Sequence, residues 1–150
     1  MNNELINSDL VDLDLRSPDK QAAVRSLAER LVTAGRVTDL ERFLTDVAER
    51  EKQMPTGMQG GIGIPHCRSE AVTAPTLAFG RCPEGIDFGA EDGPANLVFL
   101  IAAPQGGDSE HMSVLAALAR RLVRAEFKRT LTESDDPAAV AEYVREEVTP

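Results

Sequence analysis

The sequence predicts a layered α/β domain with one sheet, its strands preceded and followed by helices. Three observations lead there. Two amphipathic helical patterns come before residue 55, short apolar runs separated by turn residues fill 60–103, and helical periodicity returns from about residue 110. A chain of 150 residues with 42% hydrophobic and 27% charged residues has ordinary globular composition and suits one domain over 1–150.

DLVDLDL (9–15) alternates Val11, Leu13 and Leu15 with Asp12 and Asp14, as an outer strand with one wet face would. Ser17 as N-cap and Pro18 at the first helical position open a helix. Val24, Leu27, Ala28, Leu31 and Val32 follow at helical spacing, and Gly35 stops it. A second helix opens at Thr38, with Glu41 completing a capping box, and runs out near Arg50-Glu51 before Pro55. Its apolar stripe is Leu40, Phe43, Leu44 and Val47.

GGIGIPHC (60–67) follows. Ile62 and Ile64 alternate with Gly61 and Gly63 in the period of a strand with one buried face, and Pro65, which cannot donate to a ladder, marks its end. His66 is thereby expected at the rim of a sheet, behind glycines low enough for another molecule's backbone to come close. TLAFGRC (76–82) and NLVFLIAA (96–103) read as strands, the second apolar on both faces and central, with the turn-rich PEGIDFGAEDGP between them. Beyond PQGGDSE a helix from about residue 110 turns Met112, Leu115, Leu118, Ala119 and Leu122 inward. Arg120, Arg121, Arg124, Lys128 and Arg129 lie at and beyond its end as a solvated basic face. A last helix follows Asp136-Pro137 and uses Val140, Tyr143 and Val144.

Several function classes are disfavoured at once. A net charge of −9 argues against nucleic acid or an anionic membrane as the main partner and is compatible with a basic protein partner. No segment has the roughly 18 apolar residues of a membrane span, and MNNELINSDL lacks the regions of a signal peptide. Two cysteines, Cys67 and Cys82, give no disulfide framework, so a reducing cytoplasm is expected.

Side chains suited to proton or nucleophile chemistry near neutrality are few. His111 lies in DSEHM, in the first turn of a helix capped by Asp108 or Ser109, where unsatisfied N–H groups and the helix dipole suit an anion such as phosphate. Two neutral imidazoles beside such a site, His66 and His111, would suit phosphoryl transfer through histidine, one as nucleophile and one as donor. Each histidine also has a plain structural reading, as a strand-end residue or a helix-surface residue. His66, Cys67, Cys82 and His111 could be read as a zinc set, but adjacent His-Cys is poor geometry for one tetrahedral ion and no CxxC or HxxxH spacing occurs. A Cys67 nucleophile activated by His66 meets the objection that strand neighbours face opposite sides.

ERE, TG, GGIGIPH, LAFGR, GIDFGAEDGPANLVFLIAAP and EHMSVLAALARRL, in this order and spacing over roughly residues 10–145, resemble the IIA domain of the fructose–mannitol class of the bacterial sugar phosphotransferase system. The resemblance implies a mixed β-sheet flanked by helices on both faces, no cofactor or metal, and a phosphorylatable histidine matching His66. It matches the family's second active-site histidine to His111 and its active-site arginine to Arg50. It implies that the phosphoryl group comes from the phosphocarrier protein HPr and passes to a cysteine of a IIB domain, and so to sugar imported by a IIC membrane domain. The wording LVFLIAAP is closer to the fructose-type branch than to the nitrogen-regulatory branch, whose members act as regulatory phosphoproteins. GIGIPHCR stands where GIAIPHGK is more familiar, placing Cys67 and Arg68 beside the active histidine. With no IIB or IIC sequence following, the expectation is a free-standing IIA protein or an excised domain.

Overall fold

The apolar runs at 76–86 and 95–104 pair with one another, and the rest of the chain is laid against that pair. The computed structural model describes residues 5–106 and 110–148, with backbone only for 110–112. After a 3-10 turn at Ser8–Leu10 come β1 (Val11–Asp12), α1 (Lys20–Thr33), α2 (Leu40–Gln53), β2 (Gly57–Met58), β3 (Ile62–Gly63), β4 (His66–Ser69), β5 (Thr76–Ile86) and β6 (Ala95–Pro104). Three helices close the chain: α3 (Glu110–Leu122), α4 (Ala125–Glu133) and α5 (Pro137–Val148).

The sheet is mixed, in the order β1-β5-β6-β3-β2, with β4 also on β6. β1 runs parallel to β5, β3 and β4 parallel to β6, and the β5–β6 and β2–β3 pairs are antiparallel. β6 is central as expected, buried at nearly every position, and β1 is an outer strand, but of the expected 9–15 run only Val11–Asp12 is strand, since residues up to Leu10 form the 3-10 turn.

Two successive residues of β5 show that the sheet is covered on both faces. A Cβ on Gly80 would meet Leu15 and Leu27, so that face belongs to α1. Arg81, pointing the other way, donates from Nη1 to the carbonyls of Leu131, Thr132 and Ser134 at the end of α4. α1 and α2 pack on one another on the first face, and α3 packs with α4 and α5 on the second.

Several local expectations are corrected. α1 is capped by Asp19, which accepts from the Ala22 N–H at 2.8 Å, so the helix starts after Pro18 instead of on it. A carboxylate adds charge to the cap bond and complements the helix dipole, which a serine cannot do. α2 is capped by Asp39, because Thr38 is tied by both its N–H and its hydroxyl to the Ala71 carbonyl. The basic stretch after α3 contains α4, whose buried Phe127 and Leu131 lie one turn apart. Exposed Val123, in the break between the two helices, hides that change of phase in the sequence.

The glycine-rich strand differs most. Residues 62–65 are buried on both faces. A Cβ on Gly63 would stand 2.8 Å from the Phe88 ring, and one on Gly57, its cross-strand partner, 2.6 Å from the Phe88 carbonyl oxygen. The space over Gly63 is therefore filled by this chain's own Phe88 ring instead of being left open for another molecule, and the 88–90 backbone lies against Gly57. Pro65 does not end the strand either. Gly63 pairs with Val98 and His66 with Ile101 in one register, so β3 and β4 are a single line along β6 that loses one rung at the proline.

Gly63→Ala should destabilise the fold by about 1–3 kcal/mol, the usual cost of overpacking a filled interior. Urea unfolding should show a lower midpoint, and a double change that also trims Phe88 to leucine should recover part of it. An unshifted midpoint for Gly63→Ala would contradict this packing.

Candidate functional site

β4 is built by alternation. Cys67 and Ser69 are buried towards α2, where the Ser69 hydroxyl donates to Asp46 Oδ2 at 2.6 Å, and His66 and Arg68 face the other side. Register agrees: Cys67 pairs with Ala102, which lies on the Val98 and Gly80 side of the sheet covered by α1. His66 pairs with Ile101 on the face of α3, and α3 begins shortly after β6 ends. The sheet topology thus brings the start of α3, and the backbone of His111, to the face and end of the sheet where His66 stands. The His111 side chain lies outside the described residues, as do Asp108 and Ser109.

His66 is half-buried at the sheet edge, since among the described residues β4 pairs on one side only. Its Nδ1 lies 2.8 Å from the carbonyl oxygen of Ile64. A carbonyl can only accept, so Nδ1 carries the proton, and Nε2 of the neutral ring is the nitrogen with the lone pair. Burial, opposed by the hydrogen bond that Nδ1 donates to the Ile64 carbonyl, holds the imidazole below its ordinary value of 6.5. The positive charge of Arg50 also pushes it down, and the negative charge of Glu51 pushes it up.

Those two charges come from the last turn of α2, which runs antiparallel to β4, with Asp46 beside Ser69 and Arg50 acting on His66. Arg50 donates through Nη1 to the Met54 carbonyl at 3.1 Å, which anchors one end of its guanidinium at the helix terminus. The structure thus brings the sequence-derived pair His66 and Arg50 within each other's electrostatic reach.

Glu51 and Thr56 were not singled out by the sequence. Glu51 is 7% exposed and accepts from the Thr56 N–H at 2.9 Å and its hydroxyl at 2.8 Å, with Lys20 Nζ at 3.7 Å. A signal existed: a carboxylate in the last turn of a helix sits against the dipole, and such a residue needs a local reason.

Cys67 is 5% exposed, and burial followed by the repulsion of Asp46 pushes its thiol up to about 12. Cys82, also buried, is pushed up to about 12 by burial and by Asp12. They stand far apart along β6, Cys67 beside Ala102 and Cys82 one residue past the Arg81–Leu97 pair, so the four-residue zinc reading does not hold its two sulfurs together. A protonated thiol facing away from the imidazole cannot act as its nucleophilic partner.

Comparison with known proteins gives a family. Residues 4–147 match the family model described as "Phosphoenolpyruvate-dependent sugar phosphotransferase system, EIIA 2". The chain is 39% identical over 141 residues to the PTS system fructose-specific EIIA component of Haloferax volcanii, covering 93% of this chain and 92% of that one. It superposes on the nitrogen regulatory protein IIA-Ntr of Neisseria meningitidis with a TM-score of 0.84 and 28% identity, over 97% of both chains. It is likewise similar to a chain of the complex of enzyme IIAMTL and phosphorylated enzyme IIBMTL from Escherichia coli, with a TM-score of 0.76 and 30% identity over 93% and 96% of the two chains.

Two outcomes follow from the site. Neither thiol should react with an aromatic disulfide reagent in the folded protein at about pH 8, where an ordinary cysteine is partly ionised, and both should react after unfolding. Rapid modification of Cys67 in the folded state would reverse the assignment of its face. For His66, an NMR titration should give a midpoint below 6.5. As pH falls through 6.5 the unfolded chain takes up a proton that the folded site resists. His66 therefore makes no difference to stability above that range, and an increasing penalty below it down to the depressed folded value. A midpoint at or above 6.5 would show that the ring is not held in this way.

Proposed function

Since this chain belongs to the EIIA 2 family of the phosphoenolpyruvate-dependent sugar phosphotransferase system, we propose that His66 is the residue on which it carries the phosphoryl group. The observation that carries this reading is the Nδ1 contact to the Ile64 carbonyl, which leaves the lone pair on Nε2 of an imidazole at the sheet edge. In the reaction, that lone pair attacks phosphorus in line as the bond from phosphorus to the donor nitrogen breaks, and the donor keeps the bonding electrons. Protein groups have little covalent work to do, so positioning and charge supply the catalysis. Arg50 offers fixed positive charge and forked N–H donors to the phosphoryl oxygens, and His111, matched to the family's second active-site histidine, is the second donor of this reading. The donor is the phosphocarrier HPr, and the acceptor is a cysteine of a IIB domain, from which the group goes to sugar entering through a IIC membrane domain. A family likeness to the chain in the IIAMTL–IIBMTL complex supports the IIB partner, and the fructose-specific relative supports fructose as the sugar. No described helix is long and apolar enough to cross a membrane, and exchange with HPr would take place in the cytoplasm.

The likeness to the nitrogen regulatory protein favours a second reading, a regulatory phosphoprotein that binds partners according to its phosphorylation state. Fructose uptake in a strain lacking the gene separates the two: loss of uptake supports carriage to sugar, and unchanged uptake supports regulation.

Incubation with HPr, its upstream kinase and phosphoenolpyruvate should place an acid-labile phosphate on the peptide containing His66, and His66→Ala should take up none. Arg50→Ala and His111→Ala should still be labelled on His66, but more slowly. A well-aimed donor is worth on the order of 10²–10³ in rate, and less is expected here because the two share the charge. Wild-type labelling of folded His66→Ala would end the assignment.

A further inference from the structure

We propose that Glu51 and Thr56 are positioning residues that hold His66 in its nucleophilic tautomer, an inference that rests on His66 being the phosphoryl acceptor. The contacts form an unbroken chain. The Glu51 carboxylate accepts from the Thr56 N–H at 2.9 Å and from its hydroxyl at 2.8 Å. The Thr56 carbonyl accepts from the Ile64 N–H at 3.2 Å. The Ile64 carbonyl in turn accepts from His66 Nδ1 at 2.8 Å.

Each link constrains the next. Glu51 ends α2, and its two bonds to Thr56 fix how the chain leaves the helix and where it enters β2. Thr56 then sets the height of Ile64 against the sheet from the side away from β6. Pro65 restricts Ile64 to extended backbone, so its carbonyl has little freedom to turn by itself. Its direction is therefore decided by the two neighbours that hold it, Thr56 through the Ile64 N–H and β6 through the bond from Ile101 N–H to the Pro65 carbonyl. If the Ile64 carbonyl moves, Nδ1 loses the acceptor that keeps its proton there. The proton can then sit on Nε2, and the nitrogen that should attack phosphorus has no lone pair.

The placement of Glu51 supports a dedicated role. Its carboxylate is buried, where an ionised group is costly unless bonded, and it lies at the helix end that disfavours negative charge. Both oxygens are nevertheless occupied, by Thr56 and by Lys20 at 3.7 Å. A glutamine could keep only one of the two acceptor contacts, and a valine at 56 would keep the backbone bond and lose the hydroxyl.

The experiment joins ¹⁵N NMR of the His66 ring, at about pH 8 where an ordinary imidazole is neutral, with single-turnover phosphorylation from phosphorylated HPr. Wild type should show a protonated Nδ1 and an unprotonated Nε2. Glu51→Gln and Thr56→Val should show mixed tautomers. Their limiting single-turnover rate should fall by roughly 10- to 100-fold, with the half-saturating concentration of phosphorylated HPr unchanged, since small misplacements of a reacting group cost up to about 10². Thr56→Ser keeps the hydroxyl and should lie nearer wild type than Thr56→Val in both readouts. Folded Glu51→Gln and Thr56→Val proteins with a wild-type ring spectrum overturn the proposal, whether or not their rates fall. Should His66→Ala be labelled as well as wild type, the acceptor assignment fails instead. The tautomer readout needs no phosphoryl donor and then judges the Glu51–Thr56 support by itself.

Discussion

The site depends on one constraint: residues 62–69 lie along β6 in a single register that a proline interrupts without shifting. With that register, Ile64 and His66 face the same side two residues apart, so the imidazole can reach back to the Ile64 carbonyl. A slip of one residue would turn Cys67 to the exposed side and bury His66 under α2. β6 can impose the register because it is itself buried and pinned by β5 along most of its length. The chemistry at the edge is thus decided by the most interior strand.

The second influence on the ring is helical. α2 delivers Arg50 and Glu51, of opposite charge, from one turn, and the ring responds to both. Arg50 reaches outward, anchored at the Met54 carbonyl, and Glu51 turns inward to Thr56. On the proposed reading, a single helix terminus supplies a half-buried cation for the incoming phosphoryl group and a buried anion for the frame behind His66.

Much of this was legible in the sequence, and the remainder was hidden for physical reasons. Alternation and helical spacing gave the outer strand, the central strand and the first two helices. The quoted family motifs matched His66 and Arg50, and the opposite facing of Cys67 followed from the period of a strand. The caps were misplaced because serine or threonine and aspartate stand within two residues of one another in SPD and TD, and in TD the choice depends on Thr38 being held by the distant Ala71. Helix α4 was missed because the break at residues 123–124 resets the period. Phe88 filling the space over Gly63 could not be read, since contacts between residues so far apart leave no periodic trace. The Glu51–Thr56 link was likewise out of reach, although a carboxylate at the wrong end of a helix advertised that something there needed explaining.

β4 has a consequence beyond the ring it carries. A carrier that takes its group from one protein and hands it to another must leave its sheet border accessible, and bare borders invite strand-on-strand aggregation. β4 answers with its own sequence. It is four residues long, preceded by a proline that removes one rung, and it carries the exposed side chain of Arg68. Such a border admits a visiting protein briefly and gives a foreign strand too short a template to stay.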